Sequence, residues 1–219
     1  MLKTIFNYSK KYLFCSPQKS IETPNGAFNY ECFIHNMKKN NKGLMSKEQY
    51  LAVAKKLDEA SPCNLLVFGL GEDSYLWNKI NDKGVTFFLE DSADWISKIN
   101  DGSLMVRQIE YNTEVSMHLE IGFDEEKLKL NLPDEVQDLE YDFIIVDAPL
   151  GHQPPRPYKG PGRMSSIYTA SKLLKIGGTA VIDDMGRPVE EKYALHYFGE
   201  RNLVQLVQKK VGIFELNVK

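Results

Sequence analysis

Residues 64–91, NLLVFGLGEDSYLWNKINDKGVTFFLED, carry the reading on which the fold rests. Asn64 to Phe68 is a short apolar run bounded by turn formers, the pattern of a strand covered on both faces. Gly69-Leu70-Gly71 follows, then a helical stretch from Ser74 to Asn81, then a second apolar run from Val85 to Leu89 that ends in Glu90-Asp91. Strand, glycine turn, helix and strand within about 30 residues make a βαβ unit, whose two strands run parallel.

Outward from this unit the alternation continues. Upstream, Ser46 followed three residues later by Gln49 is a capping box, and it predicts a helix to about Ala60 that Pro62 closes. Residues 1–43 are polar and aromatic, with turn signals at Thr23-Pro24-Asn25-Gly26 and Asn40-Asn41-Lys42-Gly43. They read as an irregular N-terminal arm, which leaves 44–219 as the domain. Downstream, Asp94 to Ile99 is helical and Leu104 to Glu110 extended, and a charged stretch without a readable period comes next. Asp142 to Asp147, DFIIVD, is the clearest buried strand in the chain. A helix is predicted from Met164 to Lys175 with Gly177-Gly178 as its stop, a strand from Thr179 to Asp183 and a helix from Val189 to Glu200. Leu203 to Gln208 and Gly212 to Val218 form the simplest antiparallel pair around Lys209-Lys210. Together these predict a doubly wound α/β fold with a mainly parallel seven-stranded sheet and an antiparallel C-terminal hairpin.

Bulk properties narrow the class. With 219 residues, 42% hydrophobic and 26% charged, the chain fits one domain with a single sizeable core. The net charge of −3 excludes the broad basic field of a nucleic-acid binder. The opening MLKTIFNYSKKYLF breaks its apolar positions with Lys, Asn and Ser, which predicts neither a signal peptide nor a membrane span. Cys15, Cys32 and Cys63 form no CxxC pair and leave an odd number, which argues against a disulfide framework and a structural zinc site. A cytoplasmic location follows as the expectation.

In such sheets ligands bind beyond the carboxyl ends of the strands, at the point where strand order reverses. The glycines at 69 and 71 allow close approach of backbone to a ligand, and a carboxylate at Glu90 or Asp91 is placed to bond ribose hydroxyls. A bland turn explains Gly-x-Gly alone. A pyrophosphate dinucleotide, as in a NAD-dependent oxidoreductase, is opposed by Glu72 and Asp73, which repel phosphate at a helix start. A cationic sulfonium avoids that conflict, so the spacing favours S-adenosylmethionine, although Asp73 or Ser74 also reads as a plain helix cap.

The segment SKEQYLAVAKKLDEASPCNLLVFGLGEDSYLWNKIN…GVTFFLE, over 46–90, resembles the capped helix, Pro-Cys-Asn, Val-Phe-Gly-Leu-Gly-x-Asp-Ser and Phe-Leu-Glu segments of the glucuronoxylan 4-O-methyltransferase family. A second block is similar to the same family in the same order: Tyr141 to Pro149, Pro161-Gly162-Arg163-Met164, Ile167-Tyr168-Thr169-Ala170 and Asp184 to Arg187. The resemblance implies a Rossmann-like class I methyltransferase that uses S-adenosylmethionine to O-methylate a sugar hydroxyl in polysaccharide biosynthesis. The acceptor implied is glucuronic acid or a uronate-containing glycan. A non-catalytic binding member of the family is the alternative to turnover. The plant family's secretory anchor and extra cysteines have no counterpart here, so a compact cytoplasmic relative is expected. The loop Gly151 to Lys159, GHQPPRPYK, also departs from the family pattern.

Methyl transfer to a hydroxyl needs the oxygen held against the methyl carbon and its proton removed. Asp147 closes the fourth strand and Asp183-Asp184 the fifth. These acids serve either as base and orienter, with Asp147 and Asp184 foremost, or as ligands of a divalent cation formed by Asp147, Asp183 and Asp184. His152 is a further candidate base and a surface histidine otherwise. For the cofactor the expected residues are Gly69, Gly71, Ser74, Glu90, Asp91 and Asp147, with Tyr111 and Asn112 bordering the adenine and Trp95 in the core or as a second wall. A uronate needs a cation, and the guanidinium groups of Arg163, Arg187 and Arg156 match a carboxylate with two prongs. Arg163 and Arg187 also read as caps of a helix end or as partners of structural carboxylates, and for Arg187 these readings weigh evenly with substrate binding.

Overall fold

The computed structural model describes residues 28–40, 45–149 and 160–217. Among them, α1 spans Tyr30–Lys39, α2 Lys47–Ala60, β1 Asn64–Phe68, α3 Ser74–Ile80, β2 Val85–Glu90, α4 Ala93–Ile99 and β3 Met105–Gln108. They are followed by β4 at Tyr141–Val146, α5 at Met164–Leu173, β5 at Leu174–Ile182, α6 at Pro188–Phe198, β6 at Leu203–Val207 and β7 at Val211–Glu215. The sheet order is β3-β2-β1-β4-β5-β7-β6. Strands β1 to β5 pair in parallel, and β7 is antiparallel to both β5 and β6. The chain runs outward from β1 to β3 and returns to β4, so the order reverses between β1 and β4.

Alternation along the strands builds two cores. Leu65, Val67, Phe143, Ile145, Val181 and Ile213 face one side, with residues of α1 to α4. Leu66, Phe68, Ile144, Val146, Ile182 and Phe214 face the other, with α5 and α6. The predicted capping box is present: Ser46 Oγ accepts from Gln49 N–H, and Gln49 Oε1 accepts from Ser46 N–H.

Three local expectations change. Part of the stretch read as an irregular arm is helical, because Ile34 and Met37 of α1 are buried beside α2. The predicted helix to Lys175 stops at Leu173, where Leu174 is buried and pairs with Tyr141 as the first residue of β5. Gly177-Gly178 therefore lies inside a strand: Gly177 has φ +84° and its N–H bonds Leu216 O, while the register against β4 shifts between Tyr141 and Phe143. Burial of Leu174 overrides the helical period. The unreadable charged stretch holds single helical turns at His118–Ile121, Glu125–Leu128 and Asp134–Gln137, each burying one residue (Ile121, Leu128, Val136). One anchor per turn leaves no period to detect. Cys32 is disulfide-bonded, contrary to the inference from the odd cysteine count, while Cys63 is free and buried. No described helix is long and apolar enough to cross a membrane.

Candidate functional site

The carboxyl ends of β1, β2, β4 and β5 share one edge and carry Gly69, Glu90, Asp147 and Asp183. At β1 the chain turns sharply. Gly69 sits at φ +116°, and a Cβ built there would lie 2.9 Å from Ala148 Cβ, so only glycine passes the end of β4 at this distance. The turn is held from two sides. Leu70 N–H donates to Glu90 Oε2 at 3.2 Å, and Ser92 N–H donates to Glu90 Oε1 at 3.0 Å. Trp95 Nε1 donates to Leu70 O at 2.6 Å, and Lys98 Nζ stands 4.5 Å from its ring centroid.

Glu90 thus binds the glycine turn of β1 to the end of its own strand, and each oxygen keeps further acceptor capacity. Burial raises its carboxyl above the ordinary range. Trp95 is 37% exposed, so it is a wall of the turn rather than a core residue. Ser74 is buried, and its hydroxyl accepts from Gly71 N–H at 2.9 Å, which makes it a staple of the loop. Asp91, next to Glu90, is exposed. Tyr111 packs partly buried against the core with its hydroxyl 3.3 Å from Ser166 Oγ, and Asn112 donates to Lys129 O.

A buried guanidinium organises the second half of the site. Arg163 Nη2 lies 3.2 Å from Asp147 Oδ1 and 2.9 Å from Asp184 Oδ2, Nη1 lies 3.5 Å from Asp183 Oδ2, and Nε donates to Pro149 O. Arg187 Nη2 also meets Asp184 Oδ2, at 2.8 Å. Lys210 Nζ stands 3.7 Å from Asp183 and 3.6 Å from Asp184. Asp184 adopts φ +63°, a left-handed turn closed by Arg187 N–H on Asp184 O and Met185 N–H on Lys210 O. Burial pushes the Asp147 carboxyl well above the usual carboxylate range against the pull of Arg163. Burial also works to raise Asp183, but Arg163 and a hydrogen bond from Asp147 hold it below that range. Side-chain exposure separates the acids: 26% for Asp147 against 7% for Asp184.

The structure therefore brings together Asp147, Asp183, Asp184, Arg163 and Arg187 as the sequence placed them. It changes what they are placed to do. Arg163 sits buried among all three acids as their shared counter-ion, and its Nη1 makes no hydrogen bond. Among the described residues no group of three or more His, Cys, Asp and Glu side chains is arranged to hold a metal ion. The guanidinium stands where a cation shared by Asp147, Asp183 and Asp184 would go, and the proposed metal set does not fit. His152 and Arg156 lie outside the described residues. Lys210 was missed, because nothing in sequence links a hairpin lysine to the end of β5; Tyr50, whose hydroxyl donates to Asp73 Oδ2 at 2.9 Å, was missed for the same reason.

A family model described as IRX15/IRX15L/GXM matches residues 48–121 and 116–214. Glucuronoxylan 4-O-methyltransferase 2 of Arabidopsis thaliana is 36% identical over 171 residues, covering 67% of this chain and 58% of its own length. Arabinogalactan O-methyltransferase 2 of the same plant is 34% identical over 178 residues, covering 69% and 60%. Protein IRREGULAR XYLEM 15, also from that plant, is 32% identical over 220 residues, covering 87% and 66%. The chain thus spans less than two thirds of the length of these relatives. Among solved structures, the MycE methyltransferase from the mycinamycin biosynthetic pathway, in complex with Mg and SAH, superposes with TM-score 0.52 at 15% identity over 87% of this chain and 54% of its own. The 16S rRNA N2 G1207 methyltransferase of T. thermophilus, in complex with AdoMet and guanosine, gives 0.50 at 17% identity over 79% and 44%. With the strand order, these establish a class I Rossmann-like methyltransferase fold.

Proposed function

This chain belongs to the IRX15/IRX15L/GXM family, and we propose on that premise that it is an S-adenosylmethionine-dependent O-methyltransferase acting on a sugar hydroxyl of a glucuronic acid or uronate-containing glycan. The observation that carries the reading is the shared edge, where the Gly69–Gly71 turn and Glu90 lie beside Asp147 at neighbouring strand ends. The turn fits the nucleoside: its backbone is exposed by glycine, and Glu90 retains lone pairs for ribose hydroxyls.

The cofactor, when bound, supplies an electrophilic methyl on a cationic sulfur, which keeps the electron pair of the broken C–S bond as the acceptor oxygen takes the methyl. Asp147 is the acid placed to take the hydroxyl proton, because it is the most exposed of the three and burial has raised its basicity. Asp183 and Arg163 orient it, and Asp184 anchors the turn of β5 through two arginines. Arg187 with Lys210 is placed to meet a uronate carboxylate. Both are partly exposed, and their charge suits a carboxylate.

The nicotinamide reading is not favoured, since Asp73 and Glu72 stand at the turn where a pyrophosphate would sit. Radiolabelled methyl transfer to glucuronate-bearing xylan oligosaccharides, against the same oligosaccharides with their carboxyls reduced, tests the proposal. Transfer to the acidic set alone is expected. Cofactor binding without transfer to any glycan would instead mark a binding member of the family.

A further inference from the structure

Asp73 occupies the position before α3 where an aspartate ordinarily caps a helix by accepting from a backbone N–H one turn on. Its side chain makes no such bond. Oδ2 instead accepts the hydroxyl proton of Tyr50, and Oδ1 lies so close to Gly71 that a Cβ there would come within 2.7 Å of it. Tyr50 is fully buried on α2 with its ring 5.8 Å from that of Trp77, so the phenol is a fixed donor. A carboxylate is thereby held at the lip of the glycine turn by a residue from another helix.

The charges felt by Asp73 are negative. Asp183 from the end of β5 and the neighbouring Glu72 act on it, and it acts in turn on Asp147 at the end of β4. Burial foremost, with these charges adding to it, raises its carboxyl above the ordinary range. The buried cation of the site, Arg163, is already shared among Asp147, Asp183 and Asp184. Among the described residues no Lys or Arg forms an ion pair with Asp73. A fixed acid that neither caps its helix nor has a cation, at the edge of a turn built for close approach, calls for a cationic ligand with hydrogen-bond donors.

Resting on the cofactor reading above, we infer that Asp73, positioned by Tyr50, accepts a hydrogen bond from the α-ammonium of the cofactor's methionine part. A sulfonium has no proton to donate, so the ammonium is the cationic group that a carboxylate recognises at this range. Gly71 serves the same contact, because any side chain there would displace the carboxylate.

Calorimetry on the full chain with two ligands tests this. S-adenosylhomocysteine carries the ammonium, and methylthioadenosine carries the same nucleoside without it. Asp73→Asn is expected to weaken S-adenosylhomocysteine at least tenfold and to leave methylthioadenosine within about twofold, a difference of about 1.4 kcal/mol per decade. Tyr50→Phe should shift the same pair selectively by a smaller factor, and it decides the matter should Asp73→Asn not fold. Unchanged affinity for S-adenosylhomocysteine, or equal losses for both ligands, would overturn the inference. A folded wild-type chain that binds neither ligand overturns the cofactor reading itself, and the inference with it.

Discussion

Replacing Arg163 with methionine removes the cation on which three acids converge, Asp183 and Asp184 buried and Asp147 partly so. Asp147, Asp183 and Asp184 would lose contacts of 3.2, 3.5 and 2.9 Å, and only Arg187 and Lys210 would remain, both on the outer side of the cluster. Breaking a buried ion pair from one side costs about 3–5 kcal/mol, because the partner is left charged and dry. For a domain of this size that is a fall in Tm of about 6–20 °C, at about 2–4 °C per kcal/mol. The pH dependence gives the mechanism away. Without Arg163, the Asp147 carboxyl, which burial already holds above the ordinary range, loses the charge that pulls it down, so the folded chain binds more protons there and the penalty grows as pH rises. The deficit against wild type should be wider at about pH 8 than at about pH 5, because Asp147 takes up its proton as pH falls. Thermal unfolding followed by circular dichroism at both pH values measures it, with Arg163→Lys as a control that keeps charge without the fork. A loss below about 1 kcal/mol, or a deficit equal at the two pH values, would refute the argument that this guanidinium neutralises the cluster.

Further outcomes are expected. Glu90→Ala should weaken S-adenosylhomocysteine at least tenfold in calorimetry, since it removes both the ribose acceptor and the tether of Leu70 N–H. Asp147→Asn should keep cofactor affinity while lowering the transfer rate at least a hundredfold, in line with loss of a general base. In the wild type the rate should climb with pH through the raised titration of Asp147, and a flat profile would remove it as the base. Gly69→Ala, at φ +116° with Ala148 Cβ only 2.9 Å from the added atom, should cost about 1–3 kcal/mol and abolish cofactor binding. Ser46→Ala should cost about 1 kcal/mol in denaturant unfolding through loss of the capping box.

The fold was legible because its determinants are local. Buried strands such as 142–146 are continuous apolar runs, Ser46 and Gln49 announce a helix start, and Lys209-Lys210 marks a hairpin. An expectation failed where tertiary burial decided, as at Leu174, and none could be formed where each turn contributes one anchor, as across 118–137. The site divides the same way. Gly69, Glu90 and Asp147 stand at strand ends and are visible from strand prediction alone. The convergence of Asp147, Asp183 and Asp184 on Arg163 was not, because it depends on how α5 docks on the sheet. Tyr50 and Lys210 reach the site from α2 and the β6–β7 hairpin by packing that no spacing encodes.

A crystal structure of the full chain with S-adenosylhomocysteine tests the central claim most directly. The account predicts the ribose on Glu90, the nucleoside against the Gly69–Gly71 turn and the sulfur facing the Asp147 carboxyl. A nucleoside bound away from that turn, or a sulfur beyond the reach of Asp147, would contradict it.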